Sequence, residues 1–349
     1  MSSSTSSSEP AAWRRFFALA AGSAALAALI VYGFVVLVDP WGMLPLSLPL
    51  PRVPVTSNQR FSYPMLARSP AFDSAIIGTS TTRLLRPVAL DPAFHARFVN
   101  LAMNDATAWE MSEILHVFTR THPDPKIVMV GIDVRWCVTG DPPPRLTPRP
   151  FPRWMYRRNR WAGYGQMLNL FAVQEAGKQF GVVTGLKRPD MGSDGYTSFV
   201  PPDDTYDAGR AMTHLRAAGP EVPPGARSGP PESWRYPTLE MLHADLAALP
   251  ADTRKILFFV PYNHRLFPPP GSETAAVWDQ CRAHLVAIGR AVPHTSIIDF
   301  MRPSPITETD TNYWDPLHYR ITVADKLAHD LADAEAGEPS PDYRVLLKP

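Results

Sequence analysis

From Phe16 to Val38 the chain runs 23 residues without a charged side chain, and no other feature constrains the protein so strongly. At 1.5 Å per residue this is about 35 Å of helix, enough to cross a hydrocarbon layer about 30 Å thick. It reads as a transmembrane helix. A cleavable signal peptide is the rival, but the run exceeds a signal core in length and Leu37-Val38-Asp39-Pro40-Trp41 has no small-x-small cleavage pattern. A signal anchor over 16–38 is therefore the better assignment. Arg14 and Arg15 precede the span and no basic cluster closely follows it, so the positive-inside rule places residues 1–15, a Ser-rich tail, in the cytoplasm. The expected location is the cytoplasmic (inner) membrane, crossed once, with the C-terminal portion facing the periplasm or exterior. Trp13 and Trp41 flank the span, where each could sit at headgroup level or equally pack on the protein.

Beyond the span, 45% hydrophobic and 19% charged residues describe a globular chain. A formal charge of +1 argues against a dedicated nucleic-acid binder. Proline is abundant, 39 residues against 20 glycines, and much of it must lie in loops. Residues 39–70 read as a proline-punctuated spacer. From about residue 71, short apolar runs at 73–78, 97–101, 126–132, 256–260 and 296–300 suit strands buried on both faces. Stretches with helical spacing occur at 109–121, 239–249, 274–292 and 321–334, so the pattern predicts a doubly wound, parallel α/β domain over 71–335. An irregular insertion or lid interrupts it at about 140–236, and 336–349 reads as a tail. Cys137 and Cys281 lie where a disulfide could persist, but their spacing leaves a bridge and two separately buried side chains equally open.

Two short segments carry chemistry. Ile76-Ile77-Gly78-Thr79-Ser80-Thr81-Thr82-Arg83 is an apolar strand running into a tight, hydroxyl-rich turn, which puts Ser80 at the carboxyl end of a strand, where open α/β sheets bind ligands. Tyr313-Trp314-Asp315-Pro316-Leu317-His318 stands just before the last helix. Asp and His three residues apart let a carboxylate orient the imidazole while its other nitrogen reaches a serine hydroxyl. Ser80 could otherwise be a helix-capping hydroxyl and His318 a surface histidine. No H-x-x-x-H or C-x-x-C pair occurs, so a metal site is not expected, and serine chemistry of this kind needs no cofactor.

With Asn100-Leu101-Ala102-Met103-Asn104-Asp105 between them, these segments resemble the SGNH (GDSL-like) hydrolase and acyltransferase superfamily over roughly 72–334. The resemblance implies a flavodoxin-like sheet, Ser80 as nucleophile, His318 as general base and acid, and Asp315 as the group fixing the imidazole tautomer. The family's oxyanion donors are the serine N–H, a Gly N–H and an Asn side chain. Here the second block lacks its Gly, and Asp133 of Gly131-Ile132-Asp133-Val134-Arg135 stands where the family has Asn. An ionised carboxylate repels an oxyanion, so Asn104 or Arg135 is left to supply the hydrogen bond. Such departures look like membrane-anchored relatives that move acyl groups on envelope polymers.

Arg145, Arg149, Arg153, Arg157, Arg158 and Arg160, interleaved with Trp154, Tyr156 and Trp161, form the strongest local charge feature. Arg153, Trp154, Arg157 and Arg158 suit a polyanion or glycan surface, or simply a solvated loop. The expectation is a membrane-anchored acyl esterase or O-acyltransferase acting on an envelope or exported polysaccharide, with a membrane-bound acyltransferase as a possible partner. The alternative is a catalytically silent glycan-binding or scaffold module of the same fold.

Overall fold

The computed structural model describes residues 9–189 and 191–349, so the first eight residues of the expected cytoplasmic tail lie outside the described residues. In chain order the helices are α1 (Glu9–Val38), α2 (Gln59–Leu66), α3 (Ser80–Arg83), α4 (Pro87–Phe94), α5 (Ala108–Thr121), α6 (Gly163–Gln166), α7 (Leu170–Val183), α8 (Ala208–Arg216), α9 (Pro237–Ala247), α10 (Glu273–Ala291) and α11 (Ile321–Ala336). The strands are β1 (Ser74–Ile77), β2 (Phe98–Asn100), β3 (Ile127–Ile132), β4 (Arg254–Phe259), β5 (Thr295–Asp299), β6 (Tyr313–Asp315), β7 (His318–Tyr319) and β8 (Arg344–Leu347).

Two compact units divide the chain: one runs up to Val55 and again over Arg158–Pro189, the other over Thr56–Arg157 and again after Pro189 to the end. In the first, α1 is long and apolar enough over Pro10–Val38 to cross a membrane, and most of its surface is uncovered by protein. Asp39 ends it in a left-handed turn, its carboxylate accepting from the Met43 and Leu44 N–H groups at 3.1 and 2.9 Å.

The second unit is built on a six-stranded sheet ordered β2-β1-β3-β4-β5-β8. All neighbours are parallel except β5 and β8. Every residue of β1, β2, β3 and β5 is buried; β3 is accordingly an unbroken apolar run, while Ser74, Asn100, Thr295, Ser296 and Asp299 are buried polar residues at the ends of the other strands. Right-handed crossovers put α4 on one face and α5, α9 and α10 on the other. Accordingly α4 packs with α11, and α9 packs with α5 and α10. The chain reverses direction across the sheet between β1 and β3, so the crevice of an open sheet falls at their carboxyl ends.

Three stretches depart from the sequence expectation. The spacer contains α2, whose Arg60 is fully buried against Glu110 of α5. An unaccompanied Arg in a proline-rich segment gives no sign that its counter-ion lies 50 residues on. The tail contributes β8, because Val345 and Leu347 pair with the otherwise bare edge of β5. The region at 140–236 holds α6, α7 and α8, with α8 packed on β6. Cys137, just beyond β3, and Cys281 of α10 are disulfide-bonded.

Candidate functional site

Ser80 opens α3, directly after the β1 turn. The turn is tight because Thr82 packs down between β1 and β3. A Cβ on Gly78 or on Gly131 would collide with the Thr82 side chain, so glycine at both positions lets α3 sit on the strand ends.

Asp315 and His318 face each other across the β6–β7 hairpin, with only Pro316 and Leu317 between them. The Asp315 Oδ1 accepts from the Leu317 and His318 N–H groups at 2.9 and 3.0 Å, and its Oδ2 lies 2.7 Å from His318 Nδ1. His318 Nε2 is 2.9 Å from the Ser80 hydroxyl. The three side chains thus form one continuous relay. Because Asp315 accepts at Nδ1, that nitrogen carries the proton and Nε2 is the basic one. Burial pushes the Asp315 carboxyl up, but the bond and charge of His318 and the two N–H groups outweigh it and hold the carboxyl below its ordinary value.

The hairpin is fixed from behind by two buried tyrosines. Tyr319 donates to the Thr81 carbonyl at 2.7 Å and Tyr313 to the Pro261 carbonyl at 3.0 Å. Tyr206 adds a 3.0 Å bond to the Tyr313 carbonyl, and the Arg320 guanidinium lies over the Tyr206 ring.

Asp133 follows β3 and is buried. Its Oδ2 accepts from the hydroxyl of Thr79, the neighbour of Ser80, and its Oδ1 from the Arg135 N–H at 2.9 Å. Burial pushes the carboxyl up to about 6, although the Thr79 hydroxyl, the Arg135 N–H and the Arg135 charge all favour the anion. The Arg135 guanidinium pairs with Asp105, so as an oxyanion donor it is already engaged.

Asn104 accepts at Oδ1 from Arg83 Nη1 at 3.1 Å. Arginine has no acceptor, so the orientation of the amide is fixed and its Nδ2 is left for another acceptor. Arg83 also lies over the Phe199 ring, 5.0 Å from its centroid. Phe199 in turn meets the His318 ring edge-on at 5.1 Å. Behind Asn104, Arg60 donates to its carbonyl at 3.2 Å and pairs with Glu110 at 2.6 Å.

Ser80, Asp315 and His318 are therefore in one place, with Asn104 and Asp133 tied to the same turn through Arg83 and Thr79. Thr79, Arg83 and Phe199 were not singled out by sequence. Arg83 closes the strand-turn segment 76–83 and was within reach, whereas Phe199 stands in a region without periodicity. The residues of the basic segment differ in exposure. Arg153 lies over the Trp109 ring, Trp154 is half-buried and Tyr156 is buried, its hydroxyl donating to the Arg60 carbonyl. Arg157 and Arg158 are exposed but belong to different units. No cluster of metal-ligating side chains occurs among the described residues. The chain matches no family model and no curated protein sequence.

Proposed function

We propose that this is a membrane-anchored serine acyl esterase or O-acyltransferase of the SGNH type, acting on acylated envelope or exported polysaccharide on the outer side of the cytoplasmic membrane. One observation carries the proposal: the His318 ring lies within hydrogen-bond reach of both Ser80 and Asp315. The order of the first five strands, 2-1-3-4-5, is the flavodoxin order and supports the same reading, with Ser80 at the switch point. The orientation rests on Arg14 and Arg15, the only charged residues between Pro10 and Val38.

In the reaction, Ser80 Oγ attacks the ester carbonyl while His318 Nε2 takes its proton. The C–O bond to the leaving alcohol breaks as His318 returns that proton to it. Water or a sugar hydroxyl, deprotonated by His318, then attacks the acyl-enzyme; the bond from the acyl carbon to Ser80 Oγ breaks as His318 returns the proton to Ser80, and the acyl group leaves on the new oxygen. Asp315 holds Nδ1–H throughout and stabilises the imidazolium. The Ser80 N–H and the Asn104 Nδ2 are the donors we assign to the oxyanion.

Asp133 favours a second reading, a silent glycan-binding module, since an anion beside the Ser80 turn opposes negative charge on the carbonyl oxygen. Hydrolysis of 4-nitrophenyl acetate and release of acetate from an O-acetylated polysaccharide by the full-length protein in detergent separate the two. The enzyme reading predicts both activities and their loss in Ser80→Ala. The module reading predicts neither, with polymer binding retained in Ser80→Ala.

A further inference from the structure

In the first unit, α7 is built the wrong way round for a helix in water. Its buried stripe is Ala172, Glu175, Ala176 and Gln179, spaced as one helical face. Glu175 is 1% and Gln179 0% exposed, whereas Leu170 is 87% and Phe180 47% exposed. Leu168 before the helix and Leu186 after it stand out in the same way, at 67% and 82%. Glu175 pairs with Lys178 at 2.7 Å, while the Gln179 amide has no hydrogen-bond partner among the described residues. A helix that hides a carboxylate and an amide and turns leucine and phenylalanine outward is unfavourable in water on both counts. In hydrocarbon the same arrangement is favourable.

This segment packs along α1. Tyr32 donates to the Tyr164 carbonyl at 3.1 Å, and the Phe34 and Phe180 rings meet at 5.8 Å. Between the helices runs an apolar groove of about 470 Å³, walled by Ala27, Val31 and Val35 on one side and Met167, Leu170 and Val173 on the other. Ala27 precedes Val38 by 11 residues, about 16 Å of helix, or about half of a 30 Å hydrocarbon layer. The groove is therefore at acyl-chain depth if α1 spans the bilayer. Trp161, 59% exposed and stacked on Tyr164, supplies the aromatic pair expected where such an element meets the headgroups.

We infer that residues 161–186 are a second membrane element, with α7 lying beside α1 in the leaflet at its C-terminal end, and that the groove between them takes an acyl chain of a bilayer phospholipid. Of the parts of the proposed function, only the membrane span is needed here. Its consequence for the protein is a wedge fixed in one leaflet rather than a single tether.

Full-length protein in nanodiscs containing a phosphatidylcholine with a diazirine on its acyl chain tests this by irradiation, digestion and mass mapping. Expected are acyl adducts on 167–173 as well as on α1, with Val173→Trp, which fills the groove, cutting those at 167–173 and Val31 at least fivefold. Adducts on the far side of α1, such as at Leu29, should be unchanged by that substitution. Adducts on α1 with none over 161–186 would place α7 outside the bilayer and overturn the inference. No adducts on either would mean that α1 does not span, a failure of the membrane reading itself. Adducts at 167–173 that vanish in native membranes carrying the same lipid would assign the groove to a protein segment and overturn the lipid assignment.

Discussion

The Tyr319 hydroxyl donates to the Thr81 carbonyl at 2.7 Å, joining the strand that carries His318 to the helix that carries Ser80 across 238 residues of sequence. Both ends are buried, so water cannot replace the bond. Tyr319→Phe should cost about 1–3 kcal/mol of stability, the penalty of leaving the carbonyl unpaired. It should also lower esterase kcat about tenfold with KM little changed, because Ser80 and His318 lose their fixed spacing. Denaturation with steady-state kinetics checks both, and an unchanged kcat at reduced stability would assign Tyr319 a packing role alone.

Asp133 makes stability depend on pH. Folded, its carboxyl keeps its proton up to about 6; unfolded, it releases it near 3.9. The folded state binds more protons in between, so the contribution is fully present below about pH 4 and is lost as pH rises through 6. Asp133→Asn does not titrate, so its stability relative to wild type should gain about 2 kcal/mol between pH 4 and 7.5. The new amide is also a neutral donor beside the Ser80 turn and should raise esterase turnover at pH 7.5 about tenfold or more. Parallel stability profiles for the two proteins would contradict the first expectation, and equal turnover the second.

Among the described residues, Asp315 is the side chain that bonds His318 Nδ1. Asp315→Asn presents an amide that can donate to Nδ1, selecting the tautomer in which Nε2 carries the proton and cannot accept one from Ser80. Turnover should fall by about 10³ to 10⁴ with the fold intact by circular dichroism. A drop of less than tenfold would remove Asp315 from the relay.

The disulfide between Cys137 and Cys281 closes a loop with a sequence separation of 144. Chain entropy for such a loop gives about 5 kcal/mol, and measured native bridges give about 2–5. Cys137→Ala with Cys281→Ala should lower stability by that amount, and wild type should lose as much on reduction. A double variant as stable as the oxidised protein would show that the bridge adds nothing.

Glu110→Gln leaves the Arg60 guanidinium buried without its counter-charge, both side chains being 0% exposed in the native pair. The expected loss is about 3–5 kcal/mol. Equal stability of variant and wild type would contradict the burial of the pair.

The central sheet was legible because parallel strands buried on both faces tend to be apolar runs, as in 127–132 and in the apolar centre of 295–299. The relay was legible for a different reason: Asp315 and His318 are local to one hairpin, and Ser80 stands at a strand end. What escaped depends on partners distant in sequence. Arg60 of α2 is explained only by Glu110, β8 only by the edge of β5, and Phe199 only by His318 and Arg83. In α7 the apolar residues face outward, so the rule that places them inside gave no helix to expect there.

The most direct test of the central claim is the intact mass of the full-length protein in detergent after treatment with a fluorophosphonate, beside Ser80→Ala and His318→Ala. An activated serine predicts a single adduct on wild type, mapped to Ser80, none on Ser80→Ala and strongly slowed labelling of His318→Ala. A folded wild-type protein that takes no adduct would contradict the enzyme reading.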